Sequence, residues 1–291
     1  MAGDGAAGRD GAPGEPVPGE PAGAGVRGVG TAVEWPRFSS RALVMWRRNW
    51  LAWRYYMVTS ITANLVQPVL NLLALGFGVG LFVQDVNGLP FIQFIGPGLL
   101  IGSTMQGVTF DLCYGVFDRL HWTRAYHAVI ASPLMPRDIV AGEMLWQATR
   151  SAFFGTGFLL ILAAFGLVSS WWALTVPLLA ALVALVFSGP AIAVASVARA
   201  EEQLSYYFNL VIQPVFFFSG VFFPIEALGS TAARVAQFIP LYHGVSLVRA
   251  AVTGVPPTLP VWVHALWLGA FAVLALALPT RFLRGALERL P

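Results

Sequence analysis

Residues 210–249 read LVIQPVFFFSGVFFPIEALGSTAARVAQFIPLYHGVSLVR, and the fold class turns on how they are taken. They continue an uncharged run that starts at Leu204 and lasts to Phe223. As a helix rising about 1.5 Å per residue, such a run crosses a hydrocarbon core of roughly 30 Å. Pro224 is expected to stop that helix, because proline has no backbone N–H and its ring clashes with the preceding turn. Short amphipathic helical patterns follow, broken at Gly229, Pro240 and Gly244. From Val245 onward Leu247, Val248, Ala251 and Val252 fall on one helical face with Arg249 off it, which predicts a helix at, or dipping into, the outer interface.

Composition carries the membrane reading to the whole chain. Of 291 residues 57% are hydrophobic and 11% charged, against about 25% charged in soluble domains. Ten Trp and twenty-one Phe suit spans bordered by aromatic belts. The basic residues are all Arg, and without Lys a P-loop has nothing to place on nucleotide phosphates, so a Walker A site and lysine Schiff-base chemistry are both excluded. Cys113 is the single cysteine and reads as a small packing residue.

Residues 1–34 are rich in Gly, Ala, Pro and acidic side chains, too poor in large apolar groups to offset ordering entropy, and predict a disordered cytoplasmic tail without a signal peptide. Residues 35–291 then form one transmembrane domain. From Trp35 to Tyr56, Leu43, Trp46, Trp50, Trp53 and Met57 recur at spacings of three and four, with Arg41 and Arg48 opposite and Arg47 and Arg54 flanking. That is an interfacial helix whose arginines snorkel to head groups.

Six spans follow, at about 57–83, 91–117, 139–166, 172–198, 204–223 and 260–280, with DVNGLP as the first turn and GLVSSWW as the third. Asp111 and Asp118 share a face near the inner end of the second span, and a carboxylate at the bilayer centre would cost about 2.5–3.5 kcal/mol. Solvated or Arg-paired ends, with Arg119 as the nearest partner, stand beside a substrate or proton site. Arginines 37, 41, 47, 48, 54, 119, 124, 137, 150, 199, 281, 284 and 289 sort to one side and Arg234 and Arg249 to the other. The positive-inside rule puts both termini in the cytoplasm.

A membrane helix ending in FFFSGVFFP, an amphipathic stretch, then IPLYHGVSLVR resembles the signature of ABC-2 type permeases, most closely the branch of nodulation-factor exporter and drug-resistance permeases. The residues carrying it are Pro214, Ser219, Gly220, Pro224, Pro240, His243 and Arg249. The resemblance covers about residues 35–285. It implies an all-α membrane fold of six transmembrane helices, with an N-terminal interfacial helix on the cytoplasmic leaflet and short amphipathic outer helices between spans five and six. It also implies that the loop HWTRAYHAVIASPLMPRDIVAGE, through His121, Arg124, His127, Arg137, Asp138 and Glu143, couples the chain to an ATP-binding cassette ATPase. A solvated basic loop is the plainer reading, as a simple anchor is for the N-terminal helix.

The function so implied is a permease subunit in the cell membrane that exports an amphipathic, lipid-linked glycan or drug-like substrate. It pairs with a second copy of itself or a related permease, with ATP and Mg bound by the separate ATPase rather than by this chain. No nucleic-acid partner is expected. The chain offers no catalytic or metal constellation: His121 and His127 stand six apart, no HExxH or GxSxG occurs, and His243 and His264 read as interfacial groups with hydrogen-bond partners, His243 with a possible place in an outer gate. Two alternatives compete: a stand-alone secondary transporter or channel, which intramembrane charges or inverted repeats would favour, and a membrane-embedded transferase, which clustered His and carboxylates would favour.

Overall fold

Amphipathic pattern and proline punctuation set the first elements. The computed structural model describes residues 40–83, 85–130 and 132–289. The expected tail and the first residues of the interfacial segment, Arg37 included, lie outside them. In chain order come α1 (Ser40–Tyr55), α2 (Met57–Leu73, extended by a π turn and a 3-10 turn to Leu81), the strands β1 (Asp85–Val86) and β2 (Leu89–Pro90), α3 (Phe91–His121), α4 (Ala125–Ile130) and α5 (Pro136–Ala164). A 3-10 turn over Trp171–Thr175 opens α6 (Val176–Val197), and α7 (Glu201–Tyr207) runs through a π turn into α8 (Gln213–Phe217). The chain closes with α9 (Ser230–Ala236), α10 (Pro240–Thr253), α11 (Val261–Ala277) and α12 (Pro279–Arg289). The all-α expectation holds except for the paired β1 and β2, whose turn places Asn87 and Gly88 at positive φ.

Among the described residues three stretches are long and apolar enough to cross a membrane: Met57–Leu81, Trp171–Val197 and Val261–Arg289. The pair α9 and α10, bent by 94°, makes a fourth if it is one broken span. α3 and α5 have the length, at 31 and 29 residues, but carry the polar residues described below. α6 is apolar on every side, as a helix at the centre of a bundle must be. It contributes Val183, Val186 and Phe187 to one core and Ala184, Ala191, Ile192 and Ala195 to the other. The second core also gathers Met45, Leu120, Tyr126, Leu204, Leu283 and Leu287, so α1, the α3 terminus, α4, the start of α7 and α12 share one end of the molecule.

The expected stripe of α1 divides: Trp53 is buried with Ala42, Met45 and Asn49, Trp46 is half-buried, and Leu43 and Trp50 are exposed. A Cβ added at Gly142 of α5 would overlap Met45 and the Ala42 carbonyl, so the two backbones approach closely there. Met45 and Trp53 pack into that seam while Leu43 is left outside it, since lipid is as apolar as a core and only packing distinguishes the two.

Two expectations are corrected, the first by a fifth span that ends early. Helix stops at Phe217, before Pro224, and residues 218–223 form a turn with Gly220 at positive φ. Phe222 folds back onto Phe216 and Phe217, and the Ser219 hydroxyl donates to the Val215 carbonyl. α10 is no surface helix. Leu241, Tyr242, His243, Val245, Leu247, Val248 and Val252 are buried, packed on α3, α6 and α11.

Candidate functional site

At the α4 end one carboxylate joins four helices. Glu143, 1% exposed, enters from the second turn of α5. Its Oε1 accepts from Arg119 Nη1 of α3 at 2.5 Å and from the Tyr126 hydroxyl of α4 at 3.0 Å. Its Oε2 accepts from Asn49 Nδ2 of α1 at 3.0 Å. Arg119 is fixed further by donating Nε to the Gly115 carbonyl at 2.7 Å and by lying over the Tyr126 ring. Tyr126 is fully buried. Burial pushes its phenol upward, Arg119 opposes and Glu143 reinforces, so the group stays an O–H donor. A carboxylate held by three donors has no open position for a nucleophile or metal. What it can do is hold α4 to the bundle.

The residues expected to act in this loop divide. Glu143 sits at the centre of the cluster. Asp138 accepts from the Met135 backbone N–H at 3.0 Å and starts α5. The Arg124 carbonyl accepts from His127 and Ala128 and starts α4, with Arg124 itself at φ 50°. His121 packs its ring on Phe117. His121 Nε2, both nitrogens of His127 and Arg137 Nε are buried without hydrogen-bond partners. Sequence reading missed Tyr126 and Asn49, which belong to no motif.

Arg119 does not neutralise Asp111, as expected, because Glu143 takes it. Asp111 Oδ2 accepts instead from Arg150 Nη1 and from Gln147 Nε2, both of α5. Arg150 is therefore an intrabundle residue, not one of a cytoplasmic set. Gln147 Oε1 and Arg150 Nε remain unpartnered beside a cavity of about 30 Å³ also lined by Asn64, Ser103 and Ser151, room enough for a water molecule.

At the opposite end the signature residues converge on α10. Pro240 starts it, Pro214 starts α8, and Pro224 precedes the 3-10 turn Ile225–Leu228. Arg249 donates Nε to the Phe94 carbonyl at 3.0 Å and Nη2 to that of Gly220 at 2.7 Å. His243 is buried with Nε2 2.8 Å from the Gln237 carbonyl and Nδ1 2.8 Å from Nδ1 of His264. A carbonyl only accepts, so His243 carries its proton on Nε2 and accepts at Nδ1 from His264. That pair ties α10 to α11. Among the described residues no three His, Cys, Asp or Glu gather as a metal centre would need.

A bundle of apolar helices, with a polar knot around a short helix at one end and a bent helix pair at the other, fits a protein that crosses a membrane several times. The ABC-2 type transporter model matches residues 41–253, and the chain belongs to that family. It is 35% identical over 248 residues to Nodulation protein J of Rhizobium leguminosarum bv. viciae, covering 85% of this chain and 95% of that protein. It is 34% identical over 243 residues to Nodulation protein J of Rhizobium meliloti (strain 1021), covering 83% and 92%. A more distant relative is the inner membrane transport permease YadH of Escherichia coli (strain K12), 24% identical over 199 residues, 66% of this chain and 76% of that one. The chain is thus a transporter permease rather than an enzyme, and its family implies a membrane setting and an ABC ATPase partner.

Proposed function

We propose that this chain is the membrane-spanning subunit of an exporter that moves an amphipathic, lipid-linked glycan or drug-like substrate out of the cytoplasm, driven by a separate ATPase that binds the ATP and Mg. Residues 35–291 form its transmembrane domain behind a cytoplasmic tail. α3, α5 and the helix from α7 to α8 count as spans, making six, with both termini inside and two permease copies side by side. α4 and its flanks, from His121 to Glu143, dock on the ATPase.

The observation that carries this reading is the Glu143 cluster. α4 is held to α1, α3 and α5 by charged and charge-assisted bonds around a buried carboxylate, so a force on α4 reaches three helices at once. A partner shifts such an equilibrium only by binding its two states differently, and a nucleotide-driven ATPase would do so. The test is co-purification with the cognate ATPase in nanodiscs. The complex is expected to hydrolyse ATP where the isolated permease does not. Arg137→Glu should weaken association, and Tyr126→Phe should leave the complex intact while uncoupling hydrolysis from export. ATP hydrolysis by the isolated chain, or normal export by both variants, overturns the reading.

The Asp111–Arg150 pair is the one observation favouring a stand-alone secondary transporter or channel, which characteristically places ionisable groups within the membrane. Transport by the permease alone in vesicles, lost in Asp111→Asn, would support that second reading over the first.

A further inference from the structure

Arg249 is bonded to the protein without being neutralised by it. Its guanidinium lies over the Phe94 ring at 3.8 Å, and its Nε and Nη2 are spent on two backbone carbonyls. Carbonyls satisfy donors but carry no charge. No carboxylate pairs with Arg249, and Nη1 has no protein partner among the described residues.

Arg249 lines a cavity of about 90 Å³ between α10, the β1–β2 turn and the Pro256–Pro257 loop. The other charged residue on its wall is Glu226, which accepts from Thr258 Oγ1 at 3.3 Å and forms no ion pair with Arg249. Tyr242, Ser246, Ser219 and Asn87 add to the polar lining. A cation and an anion thus face one cavity out of direct contact, each feeling the other's charge across it, with hydroxyl and amide groups beside them. A simple anion would meet Glu226, and a simple cation would meet Arg249. A ligand carrying both charges satisfies both and leaves the site neutral.

The depth of the cavity points to the source of such a ligand. Ser169 donates its backbone N–H to the Val252 carbonyl at 2.9 Å, which brings the exposed Trp171 and Trp172 beside the cavity's loop. Trp262 at the start of α11 is also exposed. Such an aromatic belt marks the head-group layer. We propose that this cavity binds the zwitterionic head group of a phospholipid, its phosphate on Arg249 Nη1 and its ammonium on Glu226. The site does not depend on whether an ATPase drives the chain.

Native mass spectrometry of the full chain, delipidated in neutral detergent and given equimolar dioleoyl phosphatidylethanolamine and phosphatidylglycerol, tests the site. The ethanolamine lipid is expected to be retained in about tenfold preference. Glu226→Gln alters an exposed residue and should reduce that preference to near unity, while Arg249→Lys should lower retention of both lipids. O-phosphoethanolamine displacing the lipid would assign the site to the head group from either source, lipid or free. Retention without displacement would assign it to the intact lipid, and both results support the proposal. Equal retention of the two lipids by the wild type, an unchanged preference in Glu226→Gln, or inorganic phosphate competing as well as O-phosphoethanolamine overturns it.

Discussion

Removing the charge at Glu143 strands Arg119, whose Nη1 bond to Glu143 is the ion pair in a site where Glu143 is almost wholly buried. Breaking one side of such a pair costs about 3–5 kcal/mol, whereas replacing both partners with apolar groups costs far less. Glu143→Met and Arg119→Met are therefore each expected to lower the thermal unfolding midpoint in detergent markedly, and the double variant to lower it less than either. Equal, additive losses would mean that the two side chains do not act as a unit. The sequence shows that these charges exist but not how they pair. Arg119 meets Glu143 across 24 residues and Arg150 meets Asp111 across 39, whereas helical periodicity reports only neighbours three, four or seven apart.

At the scale of the element, Gly142 is where α1 and α5 come closest. Gly142→Val puts a branched side chain against Met45 and the Ala42 carbonyl. Overpacking of this kind costs about 1–3 kcal/mol, released here by lifting α1. The indoles of Trp46, Trp50, Trp53 and Trp146 form a contiguous ring cluster across the same seam, so the expected readout is a red-shifted and broadened tryptophan emission. Unchanged emission with unchanged stability would show that α1 does not rest on Gly142. Hydropathy located Met57–Leu81, Trp171–Val197 and Val261–Ala277 to within a few residues because each is a continuous apolar helix. It misplaced the end of α8 because the turn over 218–223 is built from Phe, Ser, Gly and Val, as apolar as the helix before it. It found the stripe of α1 but not which of its residues meet α5, because a stripe of large apolar residues signals lipid as readily as protein. The α4 cluster was legible as a polar loop but not as a knot, since Tyr126 and Asn49 gain their meaning only when the helices are packed.

For the whole molecule the open quantity is which end faces the cytoplasm, and the structure sharpens the arginine argument for it. Arg119 and Arg150 are each paired with a carboxylate of the bundle and Arg249 lies against Phe94, so none of the three reports on membrane side. Among the described residues that leaves Arg234 on the end carrying α9 and the β-turn. Arg41, Arg47, Arg48, Arg54, Arg124, Arg137, Arg199, Arg281, Arg284 and Arg289 lie on elements that reach the α4 end. Translocation disfavours basic loops, so the α4 end is expected inside. Cys113 is buried against Ala191 and can be replaced by Ala to give a clean background. In that background Ser132→Cys lies beside α4 and Thr231→Cys on α9, both at exposed positions. A membrane-impermeant maleimide applied to intact cells is expected to label Thr231→Cys at once and Ser132→Cys only after permeabilisation. The reverse pattern would put α4 outside the cell, beyond the reach of any cytoplasmic ATPase, and the Glu143 cluster would then need a different force to transmit.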